Sequence, residues 1–353
     1  MFKKRSAQQP LVIGLDLDSS HIAAVDAMAN GHLGIRRSAL AMLRPGIVRD
    51  GEVADPTALA EALQQLFAEH DLPRRVRVGV ANQRIVMRAI DLPPLLDDKA
   101  LSAAVHAHAP DHVPMPIDEA VIDFQSLGVV DTAQGPKTRV VVVAVRREVV
   151  ERLAEVIDAA GLTVEGIDLS AFAMVRAVGI PGAGARLYIS VAGLTNVAVA
   201  GESGVLFARA SAGGLEAVVQ TLAERRSLTL EHARQWMVHV GMEQPLAEIE
   251  GAPDLVAATR LALEEGVQVI ADAVRGSVEY YRTQAGAQAV DGGVVTGPAA
   301  GIPGFAEALG QHLRVPLVSA VVDPIEGYEP GVELGRLTVA AGLAVQEREL
   351  RSR

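Results

Sequence analysis

Ile13-Gly14-Leu15-Asp16-Leu17-Asp18-Ser19-Ser20 decides how the rest of the chain is read. An apolar run ends in two carboxylates and two hydroxyls, the pattern of a buried strand that closes in a tight turn. Such a turn offers backbone N–H groups and hydroxyls to a phosphate, while Asp16 at the strand end can hold a hydrated Mg2+. The same residues also suit an ordinary hairpin turn, and the stretch alone does not choose between the two. Residues 22–28 and 32–41 continue as strands, with Asn30-Gly31 as the turn between them.

Two later stretches repeat the shape. Ile189-Ser190-Val191-Ala192-Gly193-Leu194-Thr195-Asn196 is a strand, a small-residue turn and a hydroxyl. Val294-Val295-Thr296-Gly297-Pro298-Ala299-Ala300-Gly301 is a strand running into a small-residue bend, where backbone can approach a base or ribose. One lies early, one in mid-chain and one late. Together they predict a cleft lined by Asp16, Asp18, Ser19 and Ser20, by Gly193, Leu194, Thr195 and Asn196, and by Gly297, Pro298 and Ala299.

The 353 residues suggest two domains or one bilobed unit. Half are apolar, which excludes a disordered or fibrous chain. The 32 Lys and Arg against 43 Asp and Glu leave a formal charge of −11, which argues against nucleic acid or an anionic membrane as partner. With no cysteine, thiolate chemistry and disulfides are excluded. Lys3, Lys4 and Arg5 before an apolar stretch imitate a signal peptide, but Asp16 and Asp18 interrupt it early and no small-residue cleavage site follows. The chain reads as soluble and cytoplasmic.

Strands alternating with helices indicate an α/β protein with mixed sheets. Asp55-Pro56 is an N-cap followed by proline at the first helical position, and Leu59, Leu63, Leu66 and Phe67 form that helix's apolar face. A helix opened by Asp97 and Asp98 is expected to run through Val105, with Pro110, Pro114 and Pro116 terminating it. Strands are expected at 120–127, 138–145 and 163–167, and helices at 148–160 and 170–178. The uncharged, Gly- and Pro-containing segment 179–184 reads as a hinge. The second half then reopens with strands as the first does, so two similar α/β lobes are expected without a strict sequence repeat.

His106, His108 and His112 imitate a metal cluster, but Pro110 stands against helical spacing and a solvated face is the better reading. Asp168 has two readings. It suits a water-orienting catalytic acid, and, directly before a helical segment, it suits that helix's N-cap, which is favoured.

Taken together, the chain resembles the PilM family of type IV pilus assembly proteins, actin-like relatives of the division protein FtsA. The resemblance rests on 13–25, Leu92-Pro93, Val113-Pro114 with Asp118-Glu119-Ala120, Gly161-Leu162 with Gly166-Ile167-Asp168, Leu194-Thr195-Asn196, Ile302-Pro303-Gly304 and Ala340-Ala341-Gly342-Leu343-Ala344, nearly the whole length. It implies an actin-like bilobed fold of ribonuclease H-like lobes with an inserted subdomain. The expected division is 1–85 first lobe, 86–166 inserted subdomain, 167–184 return and hinge, 185–345 second lobe, and 346–353 tail.

The resemblance also implies ATP and Mg2+ in the cleft, and departures qualify that. Asp18 and Ala192 stand where the family has glycine, Ser190 where it has an acid, and Pro298 where its adenosine motif has glycine. Asp18 would repel phosphate unless Mg2+ intervened, and Ser190 could not orient a metal-bound water, so little or no ATP turnover is expected. The implied function is an adaptor at the cytoplasmic face of the pilus machine. Its inserted subdomain would clasp the N-terminal tail of a PilN-like membrane protein through Val113, Ile117, Val121, Ile122 and Phe124, beside other pilus components and with homo-oligomers open. The rival readings are an actin-like ATPase whose turnover closes the lobes, and an FtsA-like division tether. The terminal sequence QERELRSR lacks the apolar face a tether needs.

Overall fold

The computed structural model describes residues 11–30, 32–94, 97–180, 182 and 184–345. Gly31 of the expected Asn30-Gly31 turn, two residues of the 179–184 hinge, Lys3–Arg5 and the 346–353 tail lie outside them.

The first lobe begins with β1 (Ile13–Leu17), β2 (His21–Asn30) and β3 (His32–Met42). A short ribbon, β4 (Val48–Arg49) with β5 (Glu52–Val53), leads to α1 (Pro56–Glu69) and β6 (Arg75–Val80). Asp55 caps α1 as expected, its carboxylate accepting the Ala58 N–H at 3.0 Å, and Leu59, Leu63, Leu66 and Phe67 are buried.

An inserted module follows: β7 (Val86–Leu92), α2 (Asp98–His112), β8 (Ala120–Thr132) and β9 (Gly135–Arg146). The chain then returns through α3 (Arg147–Ala159), β10 (Thr163–Leu169) and α4 (Ser170–Val178).

The second lobe holds β11 (Ala185–Val191), β12 (Thr195–Gly201), β13 (Gly204–Ser211), α5 (Leu215–Arg226), α6 (Leu230–Val240), α7 (Pro253–Arg282), β14 (Val290–Thr296), α8 (Phe305–Leu313) and β15 (Leu317–Ser319). A 3-10 turn, Leu334–Leu337, precedes α9 (Thr338–Ala344).

The two large sheets are built alike. One has the order β10-β6-β1-β2-β3 and the other β15-β14-β11-β12-β13. In each, the opening three strands form an antiparallel meander, and the two later strands add in parallel on the far side of the first. The repeat expected from sequence is thus one of topology. β11 is buried along most of its length, as a central strand covered on both faces requires.

α9 crosses back to the first lobe, and small residues make the crossing close. A Cβ on Gly14 would lie 1.8 Å from the Ala340 carbonyl oxygen, and one on Gly342 2.0 Å from that of Ala173. The Ala340-Ala341-Gly342 run is therefore a packing surface against β1 and α4.

Two expectations about the insert need correction. Its own sheet, ordered β7-β9-β8, ends at Arg146. Within the expected 86–166 span, β10 instead pairs in parallel with β6 of the first lobe. α3 packs by Leu153, Val156 and Ile157 into the first lobe's core. Nor does Pro110 end α2, which runs on to His112 with the proline inside it. His108 and His112 therefore do lie one helical turn apart. Among the described residues no group of three or more His, Asp or Glu side chains gathers as a metal site.

Candidate functional site

The three expected turns converge where the lobes meet. β1 ends at Leu17, and the Asp18–Ser20 turn folds tightly, with Ser20 N–H (3.0 Å) and Ser20 Oγ (2.8 Å) both donating to Asp18 Oδ1. The other carboxylate oxygen reaches across the cleft and accepts the Gly193 N–H at 2.8 Å. A Cβ on Gly193 would lie 1.9 Å from Ser19 Oγ and 2.8 Å from Asp18 Oδ2, so a larger residue would have to displace both side chains. Gly297, with φ +81, turns the chain beside Ser190 and Val191 and touches Gly335.

A residue invisible to the motif reading completes the cluster. Arg336 is buried and lies beside Ser20 Oγ (3.4 Å) and His21 Nδ1 (3.2 Å), while its Nε donates to Glu333 at 3.1 Å. It comes from 316 positions away, and no local pattern marks it. His21 Nδ1 also faces Ser20 Oγ at 2.9 Å and Asp18 Oδ1 at 3.5 Å.

The two aspartates of the turn are driven apart. For Asp18, burial works upward, but hydrogen bonds from His21 and Ser20 and the nearby His21 charge outweigh it and hold the carboxyl well below the usual carboxylate range. For Asp16, burial dominates and, with the Asp18 charge beside it, pushes the carboxyl up to about 7 against the pull of His21. One is an anion held in place, while the other titrates near neutrality.

Several expected cleft residues turn elsewhere. Leu194 packs towards Gly51 of the first lobe. Thr195 is buried and donates to the Gly213 carbonyl at 2.9 Å. Asn196 faces a small crevice with Val80 and Leu169. Pro298 and Ala299 are buried in the 3-10 turn after β14. A cavity of about 580 Å3 opens nearby, bounded by Leu40 and Met42 of β3, Glu231, Arg234 and Val238 of α6, and Glu333 and Arg336.

Asp168 is neither the cap nor a member of this cluster. It lies on β10, and its Oδ1 accepts the neighbouring Leu169 N–H, while α4 starts without a side-chain cap. Its Oδ2 pairs with Arg176 at 2.5 Å, and Arg176 also donates to the Gly342 carbonyl at 3.1 Å, tying α4 to α9.

That pair lines a second cavity, of about 360 Å3, between the inserted module and the first lobe. Its walls include Val121, Asp123 and Phe124 of β8, Val143 and Val145 of β9, Ile167, Asp168 and Leu169 of β10, and Phe172 and Arg176 of α4. β8 is an edge strand of its sheet and β10 an edge strand of the first-lobe sheet, so two strand edges border one cavity. Of the five residues expected to touch a partner, Val121 and Phe124 line it. Val113 belongs to the module's own core, and Ile117 and Ile122 pack against that core. Alternation along β8 puts 121 and 123 on one face and 122 and 124 on the other, which separates Val121 from Ile122, while Phe124 both lines the cavity and packs against the module's core.

Two lobes of one topology, joined across a cleft and crossed by a returning C-terminal helix, define an actin-like protein. Solved structures share that fold. The PilM-PilN type IV pilus biogenesis complex is 24% identical, with 96% of this chain and 98% of that chain covered at a TM-score of 0.73. MreB5 of Spiroplasma citri bound to ADP is 14% identical, with 97% of each chain covered at 0.56. The ethanolamine utilization protein EutJ from Carboxydothermus hydrogenoformans is 14% identical, with 96% and 91% covered at 0.55. Residues 14–346 match the family of type IV pilus assembly protein PilM, and the chain belongs to that family.

An actin-like fold implies nucleotide and Mg2+ between the lobes. The residues here do not fit a phosphate in this arrangement, because the Ser20 and Gly193 amides that would face it already donate to Asp18. A second anion beside Asp18 would be repelled at short range.

Proposed function

We propose that this chain is an adaptor of the type IV pilus machine that holds the N-terminal tail of a PilN-like membrane protein as an added strand between β8 and β10. The observation that carries the reading is the pair of strand edges bordering one cavity with both apolar and charged walls. An extended peptide there gains main-chain hydrogen bonds from an edge, and alternate side chains enter pockets. Val121, Val143, Val145, Ile167 and Phe172 supply the apolar walls, and the Asp168–Arg176 pair supplies polar groups.

Among the described residues no helix is long and apolar enough to cross a membrane. The Asp18–Gly193 contact supports a nucleotide-independent adaptor rather than an ATPase whose turnover closes the lobes.

Calorimetric titration of a synthetic tail peptide tests the groove. Val121→Asp and Phe172→Ala, each verified as folded by circular dichroism, are expected to weaken binding at least tenfold. Undiminished binding by both folded variants would move the tail elsewhere.

A further inference from the structure

A larger cavity, of about 710 Å3, adjoins the groove and shares Gln125, Phe172 and Arg176 with it. Its far wall belongs to the second lobe: Arg186 and Tyr188 of β11, and Gly201, Glu202 and Gly204 at the β12–β13 hairpin. The hairpin approaches the inserted module closely, since a Cβ on Gly204 would lie 2.9 Å from Gln125 Nε2. The two cavities thus lie side by side with Gln125, Phe172 and Arg176 as their common wall, and the larger one reaches the second lobe.

The charges of this cavity are not balanced in the way those of the groove are. Arg176 is engaged by Asp168 and the Gly342 carbonyl. Arg186 is half-buried, and a Cβ on the neighbouring Gly292 would lie 3.4 Å from its Nη1. Arg186 has no ion pair or hydrogen bond with any described residue. Glu202, exposed on the hairpin, also has no ion pair among the described residues. Charged side chains taken partly out of water are normally paired, and a planar guanidinium is suited to a carboxylate.

We infer that the partner tail runs on from the groove into this cavity as a mixed-charge segment, with an acidic side chain on Arg186 and a basic one beside Glu202. The inference rests on the groove reading above. It adds the chemistry of the segment's continuation and a contact with the second lobe, so the occupied tail bridges both lobes. Glu202 sets the register, because a second acid placed there would meet like charge.

Fluorescence anisotropy with the full chain and labelled synthetic peptides of the cognate tail tests this. Arg186→Gln is expected to weaken the native tail about tenfold, as loss of a charge-assisted pair does. Arg186→Lys should retain most of the affinity. A tail whose acids are changed to amides should bind wild type and Arg186→Gln equally. Arg186→Glu should regain affinity for a tail whose acid is changed to lysine.

Equal binding of the native tail by wild type and Arg186→Gln, or a cognate tail without an acidic residue, would overturn the inference and leave the groove reading standing. Undiminished binding by folded Val121→Asp and Phe172→Ala would instead overturn the groove reading.

Discussion

Asp18 of the first lobe and Gly193 of the second are joined directly, the carboxylate accepting the backbone N–H at 2.8 Å. With two further hydrogen bonds from Ser20, this carboxylate occupies the kind of amide nest that elsewhere receives a phosphate. An anion of the chain itself thus bridges the two lobes.

Removing that anion should loosen the lobes and free the nest. Asp18→Ala is expected to cost about 2 kcal/mol, the scale of hydrogen bonds to a charged group whose donors are then left unpaired. Asp18→Gly should in addition acquire a thermal shift with ATP and Mg2+ that the natural chain lacks. Differential scanning calorimetry with and without nucleotide measures both, and a nucleotide-induced shift in the natural chain would refute the closed-nest account.

Asp16 predicts a pH dependence of definite sign. Its carboxyl titrates at about 7 in the folded chain against 3.8 for the ordinary group. Between those values the unfolded chain has lost a proton that the folded chain keeps, so this residue makes stability fall as pH rises from about 4 to about 7. Asp18 acts oppositely and only in acid, because its folded pKa is depressed. Asp16→Asn should therefore gain stability relative to the natural chain across pH 4 to 7. Denaturant titrations at several pH values check this, and a constant difference would contradict it.

Arg176 holds Asp168 and the Gly342 carbonyl at once. Arg176→Met should destabilise by about 2–3 kcal/mol, because it strands a partly buried carboxylate as well as a carbonyl. Asp168→Asn should cost less, since an amide oxygen can still accept from Arg176. Thermal unfolding ranks the two variants, and the reverse order would show that the pair does not tie α4 to α9.

Two glycines should respond in opposite directions. Gly14→Ala places a methyl 1.8 Å from the Ala340 carbonyl and should displace α9 from β1. Gly276 sits within α7 with nothing within 4 Å of an added Cβ, so Gly276→Ala should stabilise by about 1 kcal/mol. Urea midpoints of the two variants separate packing from helix propensity.

The strand-turn stretches at Asp16–Ser20 and Gly193–Asn196, and the Asp55 cap, were legible because strand and cap signals are local. Arg336 was not legible, because only the folded chain brings it to Ser20. The place of β10 was hidden for a related reason: its sequence shows a strand but not which sheet edge it joins. Alternation alone divided Val121 from Ile122, yet which face of β8 meets the first lobe depends on how the module is docked. Pro110 misled because a proline interrupts helix hydrogen bonding without always ending the helix.

The central claim is that the partner tail lies between β8 and β10, and the absence of cysteine from the chain makes a direct test clean. Asp123, exposed on β8, is changed to Cys and labelled with a photo-crosslinker, with Leu261→Cys on the exposed side of α7 as control. After irradiation with the tail peptide, mass spectrometry locates the cross-links. The account predicts that position 123 links to the tail and position 261 does not, with excess unlabelled tail abolishing the product. Cross-links at 261 but not at 123 would contradict it.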